Sequence, residues 1–256
     1  MIDLTGKSAL VTGASRGLGA ATARRLAAAG AAVTLAARDE TALAAVAAAI
    51  REGGGTAHAV RCDVARYDDV AAAVERAARA FGGLDILVNN AGLIDPIAHL
   101  SESDPTAWGA VVDVNLKGVY HGMRAAAPIM TEAGDGVVVN LSSGAATGAL
   151  EGWSHYCATK AAVLALTRVG DQELAPKGVR VVGLSPGTVA TDMQRSIRAS
   201  GVNPVSRLDW EAHIPPEWAA EAALFLCGPE GARFAGGDFS IKTDEGRALV
   251  GLPPMA

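Results

Sequence analysis

The sequence predicts an α/β fold: a doubly wound, mainly parallel seven-stranded sheet with helices on both faces. Three observations carry that expectation. Short, mostly apolar runs recur along the chain and alternate with alanine-rich helical stretches. No linker, repeat or low-complexity tract interrupts the alternation. The length of 256 residues suits one domain with a substantial core, so residues 1–256 are expected to form a single unit.

Composition narrows the function classes. Half the chain is hydrophobic and 19 % is charged, as in an ordinary soluble globular protein. A net charge of −5 argues against a nucleic-acid binder, which usually presents a basic face. Aromatic residues make up only 4 %, and much of the apolar content is alanine, which lets helices approach a sheet closely. Cys62, Cys157 and Cys227 are odd in number and widely spaced, and the five histidines are scattered. These read as free thiols in a reducing compartment, with no metal site. The N-terminus lacks the basic and apolar regions of a signal peptide, and no apolar run approaches the ~18 residues of a membrane span. The expected location is cytoplasmic.

Taken in order, Ser8 to Thr12 is a buried strand running into Thr12-Gly13-Ala14-Ser15-Arg16-Gly17-Leu18-Gly19 and a helix to about Ala29. A glycine turn between a strand and a helix presents bare N–H groups at the positive helix end, an anion site close enough for a pyrophosphate. Turns also use glycine for its backbone freedom. Ala32 to Ala37 is the second strand, with Asp39 as cap of the next helix. Where an acidic residue would accept bonds from an adenosine 2′-hydroxyl and select NAD, the chain has Ala37 and Arg38. Arg38 suits a 2′-phosphate, with Arg16 as second partner, so NADP(H) is expected over NAD(H). Both arginines are equally compatible with solvated loops.

His58 to Cys62 is the third strand, ending at Asp63-Val64, where the carboxylate either meets adenine or caps a turn. Leu84 to Val88, the fourth strand, runs into Asn89-Asn90-Ala91-Gly92, with Asn89 suited to tying neighbouring strands together. A long helix is expected from Pro105 to about Ala133. It contains Asn115, a poor mid-helix residue that either competes for backbone bonds or bends the helix toward a cleft and holds a water. Gly136 to Leu141 is the fifth strand and delivers Ser142-Ser143. Val179 to Leu184 is the sixth, ending at Ser185-Pro186-Gly187-Thr188. Thr191 to about Ile214 is the least regular stretch; with the residues before it, it is read as a mobile substrate lid at about 188–214, with a plain surface excursion as the alternative. Arg195, Arg198 and Arg207 in that stretch are read as surface cations, with an anionic substrate as their alternative partner. A helix from Pro216 to Cys227 and a short strand at Phe239 to Ile241 complete the series.

The helix expected from Ser154 to Ala175 carries Tyr156 and Lys160, four residues apart and therefore side by side on one face. An ammonium next to a phenol favours phenolate and would bring the phenol's pKa down from ~10 toward working pH. Such a pair also arises by chance on helix surfaces, so the rest of the chain must support it.

Thr12-Gly-x-x-x-Gly17-x-Gly19, Asn89-Asn90-Ala91-Gly92, Asn115, Ser143, Tyr156-x-x-x-Lys160 and Pro186-Gly187 occur in this order. Together, over nearly the whole chain, they resemble the short-chain dehydrogenase/reductases, which are built on a Rossmann fold. The resemblance implies that Tyr156 is the acid/base, that Lys160 lowers its pKa and holds the nicotinamide ribose, and that Ser143, thirteen positions before Tyr156, orients the substrate oxygen. It implies that Asn115 positions a water linking Lys160 to solvent. Gly13, Ser15, Arg16, Gly17, Leu18, Gly19 and Arg38 would serve the pyrophosphate and adenosine end. Asp63, Val64, Asn90, Ala91 and Gly92 would line the adenine and ribose, and Pro186, Gly187, Thr188, Val189 and Thr191 the nicotinamide. Ala145, Leu150, Trp153 and Met193 are expected around an apolar ketone or secondary alcohol, although Trp153 and Met193 also suit plain packing. The family habit is a homotetramer, sometimes a dimer. The chain departs from many relatives after its last strand, where it reads Ser240-Ile241-Lys242-Thr243-Asp244-Glu245-Gly246, and in its tail from Gly251 onward. An alternative function on the same fold, a non-catalytic dinucleotide sensor, would ordinarily lack the Tyr/Lys pair.

Overall fold

In the computed structural model, which describes residues 2–255, the apolar runs become strands β1 (Ser8–Thr12), β2 (Ala32–Ala37), β3 (Thr56–Arg61), β4 (Ile86–Asn89), β5 (Gly136–Leu141), β6 (Val179–Ser185) and β7 (Asp238–Ser240). Among the described residues they form one seven-stranded sheet in the order β3-β2-β1-β4-β5-β6-β7. Every pairing is parallel, so the sheet is wholly rather than mainly parallel. Strand direction is set by the intervening helices: α1 (Gly17–Ala28), α2 (Glu40–Glu52), α3 (Tyr67–Phe81), α4 (Pro105–Val112), α5 (Gly118–Ala133), α6 (Ser154–Leu174), α7 (Asp192–Ser200), α8 (Pro216–Cys227) and α9 (Asp244–Leu249).

The pleat divides the core. Successive side chains of a strand face opposite ways. Ala9 and Val11 therefore pack with the α1, α2 and α8 layer, and Leu10 with the α3, α5 and α6 layer. Leu87 and Val138 alternate with their neighbours in the same way. The alanines do what composition suggests. Ala20, Ala23 and Ala27 of α1 and Ala219, Ala222 and Ala223 of α8 are buried in one layer, where an Arg25–Glu221 ion pair also links the two helices.

Caps set several helix starts. Asp39 Oδ1 accepts from Ala42 N–H (3.0 Å), as the sequence suggests. Asp104 does the same for α4, ahead of Pro105. Two local expectations need correction, and one segment left unassigned proves regular. The helix read from Pro105 to Ala133 is interrupted by a π turn, Asp113–Lys117, centred on Asn115. The irregular stretch after Thr191 contains the regular helix α7. The divergent segment after β7 forms the short helix α9, capped by Thr243.

Asn89 ties strands together as expected. Its Nδ2 donates to Asn140 Oδ1 (2.9 Å), and Asn140 Nδ2 donates to Thr167 Oγ1 (3.0 Å), joining β4, β5 and α6 through side chains sealed from solvent. Asn140→Ala strands the Asn89 amide in the core and removes the donor to Thr167 Oγ1, which keeps its own bond to the Val163 carbonyl (2.9 Å). It should destabilise the fold by about 2–4 kcal/mol, read from chemical denaturation. A loss below about 1 kcal/mol would show that the relay is dispensable.

Candidate active site

The strand order reverses between β1 and β4, and the loops at their carboxyl ends open a crevice there. Thr12 braces it. Its hydroxyl accepts from Asn90 N–H (3.0 Å) and Ala91 N–H (3.2 Å), while Asn90 Nδ2 donates to the Thr12 carbonyl (2.9 Å). Gly13 and Gly17 hold φ of +65° and +53°, which an L side chain rarely adopts. A Cβ on Gly19 would lie 2.3 Å from the Gly13 carbonyl oxygen. The turn is thus packed without side chains. Arg16, at the N-cap of α1, makes no side-chain capping bond, so the first N–H groups of the helix face the cleft.

A cavity of about 460 Å³ follows this turn. Gly13, Ser15, Arg16, Gly17, Leu18, Gly19, Arg38, Asp63, Val64, Asn90, Ala91, Gly92 and Thr191 line it. The backbone cradle, the helix end and the size of the cleft all fit a dinucleotide. Asp63 is partly engaged in the local turn, with Oδ1 accepting from Ala65 N–H (3.1 Å).

A second cavity, of about 400 Å³, holds Ser143, Ala145, Leu150, Trp153, Tyr156, Lys160, Pro186, Gly187, Thr188, Val189 and Met193. The two cavities share Leu18, Asn90, Gly92, Ile94, Thr191 and Met193, which makes them one continuous cleft. Its second chamber is mostly apolar, with Ile94, Ile197 and Val205 joining the expected residues. Those three escaped sequence reading because each belongs to an irregular loop or to the unexpected helix α7. None of Arg195, Arg198 and Arg207 lines either cavity; Arg195 pairs with Asp192 at 3.1 Å.

β5 delivers two serines to the second chamber, and they differ in their partners. Ser142 Oγ donates to Asp238 Oδ2 (3.0 Å), and Ser143 faces the second chamber. One face of α6 presents Tyr156 and Lys160, 9 % and 5 % exposed. The lysine Nζ stands 5.5 Å from the phenol ring centre and donates to the Leu141 carbonyl at 2.6 Å. Trp153 packs edge-on against Tyr156, ring centres 5.6 Å apart.

The electrostatics differ from the sequence expectation. Burial pushes the Tyr156 phenol up to about 12, with Ser143 pulling the other way. Burial likewise lowers Lys160 to about 8, opposed by the Asp238 carboxylate. The ammonium does not bring the phenol down here, because burial penalises the charged form of both groups.

Asn115 lines neither cavity. Its Oδ1 accepts from Leu93 N–H (2.7 Å) and its Nδ2 donates to the Leu93 carbonyl (2.8 Å). Both ends of the amide are thus committed to one backbone segment, which leaves the side chain little capacity to hold a water. Among the described residues there is no cluster of metal-ligating side chains and no helix long and apolar enough to cross a membrane.

A parallel sheet with a glycine-turned cleft at its switch point, continuous with a chamber holding Ser143, Tyr156 and Lys160, defines a dinucleotide-dependent oxidoreductase of the Rossmann class. The chain belongs to the short-chain dehydrogenase family, whose model matches residues 7–201. Cis-4-hydroxycyclohexanecarboxylate dehydrogenase of Sinomonas cyclohexanicum is 42 % identical over 224 residues, covering 85 % of this chain and 88 % of the relative. The 3-oxoacyl-[acyl-carrier-protein] reductase of a Synechocystis species is 37 % identical, covering 94 % and 97 %. Among solved structures, NAD+-bound xylitol dehydrogenase superposes with a TM-score of 0.87 at 28 % identity, covering 93 % of this chain and 98 % of that one. A variant actinorhodin polyketide ketoreductase with NADPH gives 0.85 at 30 % identity, covering 92 % and 95 %.

Proposed function

We propose that the protein interconverts a ketone and a secondary alcohol using NADP(H). The observation that carries this is the placement of Ser143 and Tyr156 on the wall of an apolar chamber continuous with the glycine-turn cleft. When bound, the nicotinamide supplies or accepts the hydride. Tyr156 gives its proton to the substrate oxygen in reduction and takes it back in oxidation. Ser143 donates a hydrogen bond to the same oxygen, where negative charge develops. Lys160 binds the nicotinamide ribose and returns a proton toward the phenol. Asn115 holds the Leu93 segment, and its π turn keeps that wall in place. A π turn shifts helical pairing, so its backbone carbonyls are better suited than the committed amide to hold a relay water.

The preference for NADP(H) rests on Arg38. It is exposed at the cleft wall; the adjacent carboxylate, Asp39, borders the same cavity, but its Oδ1 accepts from Ala42 N–H in capping α2. Arg16 is the second partner, 3.8 Å from Asp192. Residues 188–214 act as the lid, since α7 contributes to both cavities. A single-domain, cytoplasmic homotetramer completes the reading.

The test is a ketone panel assayed with NADPH and NADH in parallel, read at the reduced-nicotinamide absorbance. NADPH should be preferred. Arg38→Asp should lower the NADPH/NADH ratio of kcat/KM by about tenfold to a hundredfold, because it exchanges a phosphate partner for a hydroxyl acceptor. An unchanged ratio would remove Arg38 from cofactor choice.

A further inference from the structure

We infer that Lys242 forms an anion subsite at the rim of the substrate chamber, so that the physiological substrate is an oxo acid or hydroxy acid with an apolar body. This rests on the oxidoreductase reading above and adds the substrate's charge. Two cationic side chains line the chamber, Lys160 and Lys242, and no aspartate or glutamate does. Lys160 already donates to the Leu141 carbonyl. Lys242 has neither an ion-pair partner nor a side-chain hydrogen bond among the described residues.

Its position is built. The Lys242 stem lies over Gly187, where an added Cβ would sit 3.0 Å from its Cγ. Its Nζ reaches the loop after Ser143, 3.5 Å from where a Gly144 Cβ would be. Both neighbours lack a side chain, which leaves room for the lysine to enter the rim. The loop behind it is fixed: Ile241 is 1 % exposed, Lys242 N–H donates to Ser240 Oγ (3.2 Å), and Arg247 Nε donates to the Ile241 carbonyl (3.1 Å). Gly246 is packed so tightly that a Cβ would meet the Ser240 carbonyl oxygen at 1.9 Å. An ammonium without a counter-charge, set at the edge of an apolar chamber, favours a ligand with a carboxylate at one end and a carbonyl at the other.

The probes are levulinate and its higher straight-chain methyl-ketone homologues, each beside its methyl ester, assayed with NADPH and NADH. At one or more chain lengths, the wild type should favour the acid over the ester by about tenfold in kcat/KM, as for a hydrogen bond between charged groups. Lys242→Met should bring that ratio close to one, and Lys242→Arg should retain it. Equal use of acid and ester at every length, or an acid preference that survives Lys242→Met, would overturn the proposal. A raised NADPH Kd in Lys242→Met with an unchanged acid/ester ratio would assign the lysine to the cofactor and overturn it equally. If no probe is turned over, the ketone panel above decides the oxidoreductase reading and calorimetric titration decides the subsite by itself. Acid binding that exceeds ester binding and weakens about tenfold in Lys242→Met would sustain it; equal binding, or none, would end it.

Discussion

Replacing Tyr156 with phenylalanine is expected to lower kcat by a factor of about 10³ while leaving the Kd for NADPH within about twofold. The substitution removes one oxygen and keeps the ring that packs against Trp153. The fold and cleft should therefore survive, and the loss should fall on the proton-transfer step alone. Steady-state kinetics with fluorescence titration of the cofactor separate the two effects. Turnover within about tenfold of wild type would remove the phenol from the proposed role. The pH profile follows from the same group. Burial keeps the phenol protonated up to about 12. Carbonyl reduction uses the protonated form and should be flat across neutral pH. Alcohol oxidation needs the phenolate, so it should climb by up to about tenfold per pH unit below that value. Lys160, lowered to about 8, sheds its proton within the same climb. An oxidation rate that levels off near neutrality would show that the loaded enzyme holds the phenol far lower than the structure does.

Gly19→Ala should abolish measurable NADPH binding, raising Kd by at least about a hundredfold. The new methyl carbon would lie 2.3 Å from the Gly13 carbonyl oxygen and 2.5 Å from Asn90 Nδ2. A backbone oxygen cannot swing aside like the end of a flexible side chain, so the whole turn must shift, and the N–H groups that would hold the pyrophosphate shift with it. Gly83→Ala is the control: nothing lies within 4 Å of its would-be Cβ, and it should bind as wild type does. Titration of both variants, with circular dichroism to confirm folding, checks the contrast. Normal NADPH affinity in Gly19→Ala would mean that the turn does not form the cradle.

What could be read from the residues depended on how local the cause was. β1, β2 and β5 match their apolar runs residue for residue, because nearly every position is buried and the few polar side chains within them, such as Thr34 and Asn140, are buried too. The glycine turn was legible because missing side chains and backbone freedom are properties of the residue itself. The π turn was not: Asp113, Val114 and Asn115 look like a weak stretch of one long helix, and the bond between Asn115 and Leu93 spans 22 positions. Helix α7 was hidden because a buried glutamine, Gln194, spoils its apolar face. The direction in which the Tyr156 pKa moves was hidden for a different reason. Spacing reveals that a lysine stands beside it, but only packing reveals that both lie out of water. Lys242 could be flagged only as a departure from the family pattern, since its reach to Gly144 depends on a loop closed by Gly246.

The placement of α7 also matters for anyone who wishes to retool this catalyst. Thr191 and Met193 border both chambers. Diversifying them to admit a bulkier ketone would disturb the nucleotide at the same time, and selection would face a trade-off at every round. Ala145 and Leu150 border the substrate chamber alone. A mutant library confined to those two positions should widen the range of accepted substrates while the nucleotide cleft stays as it is.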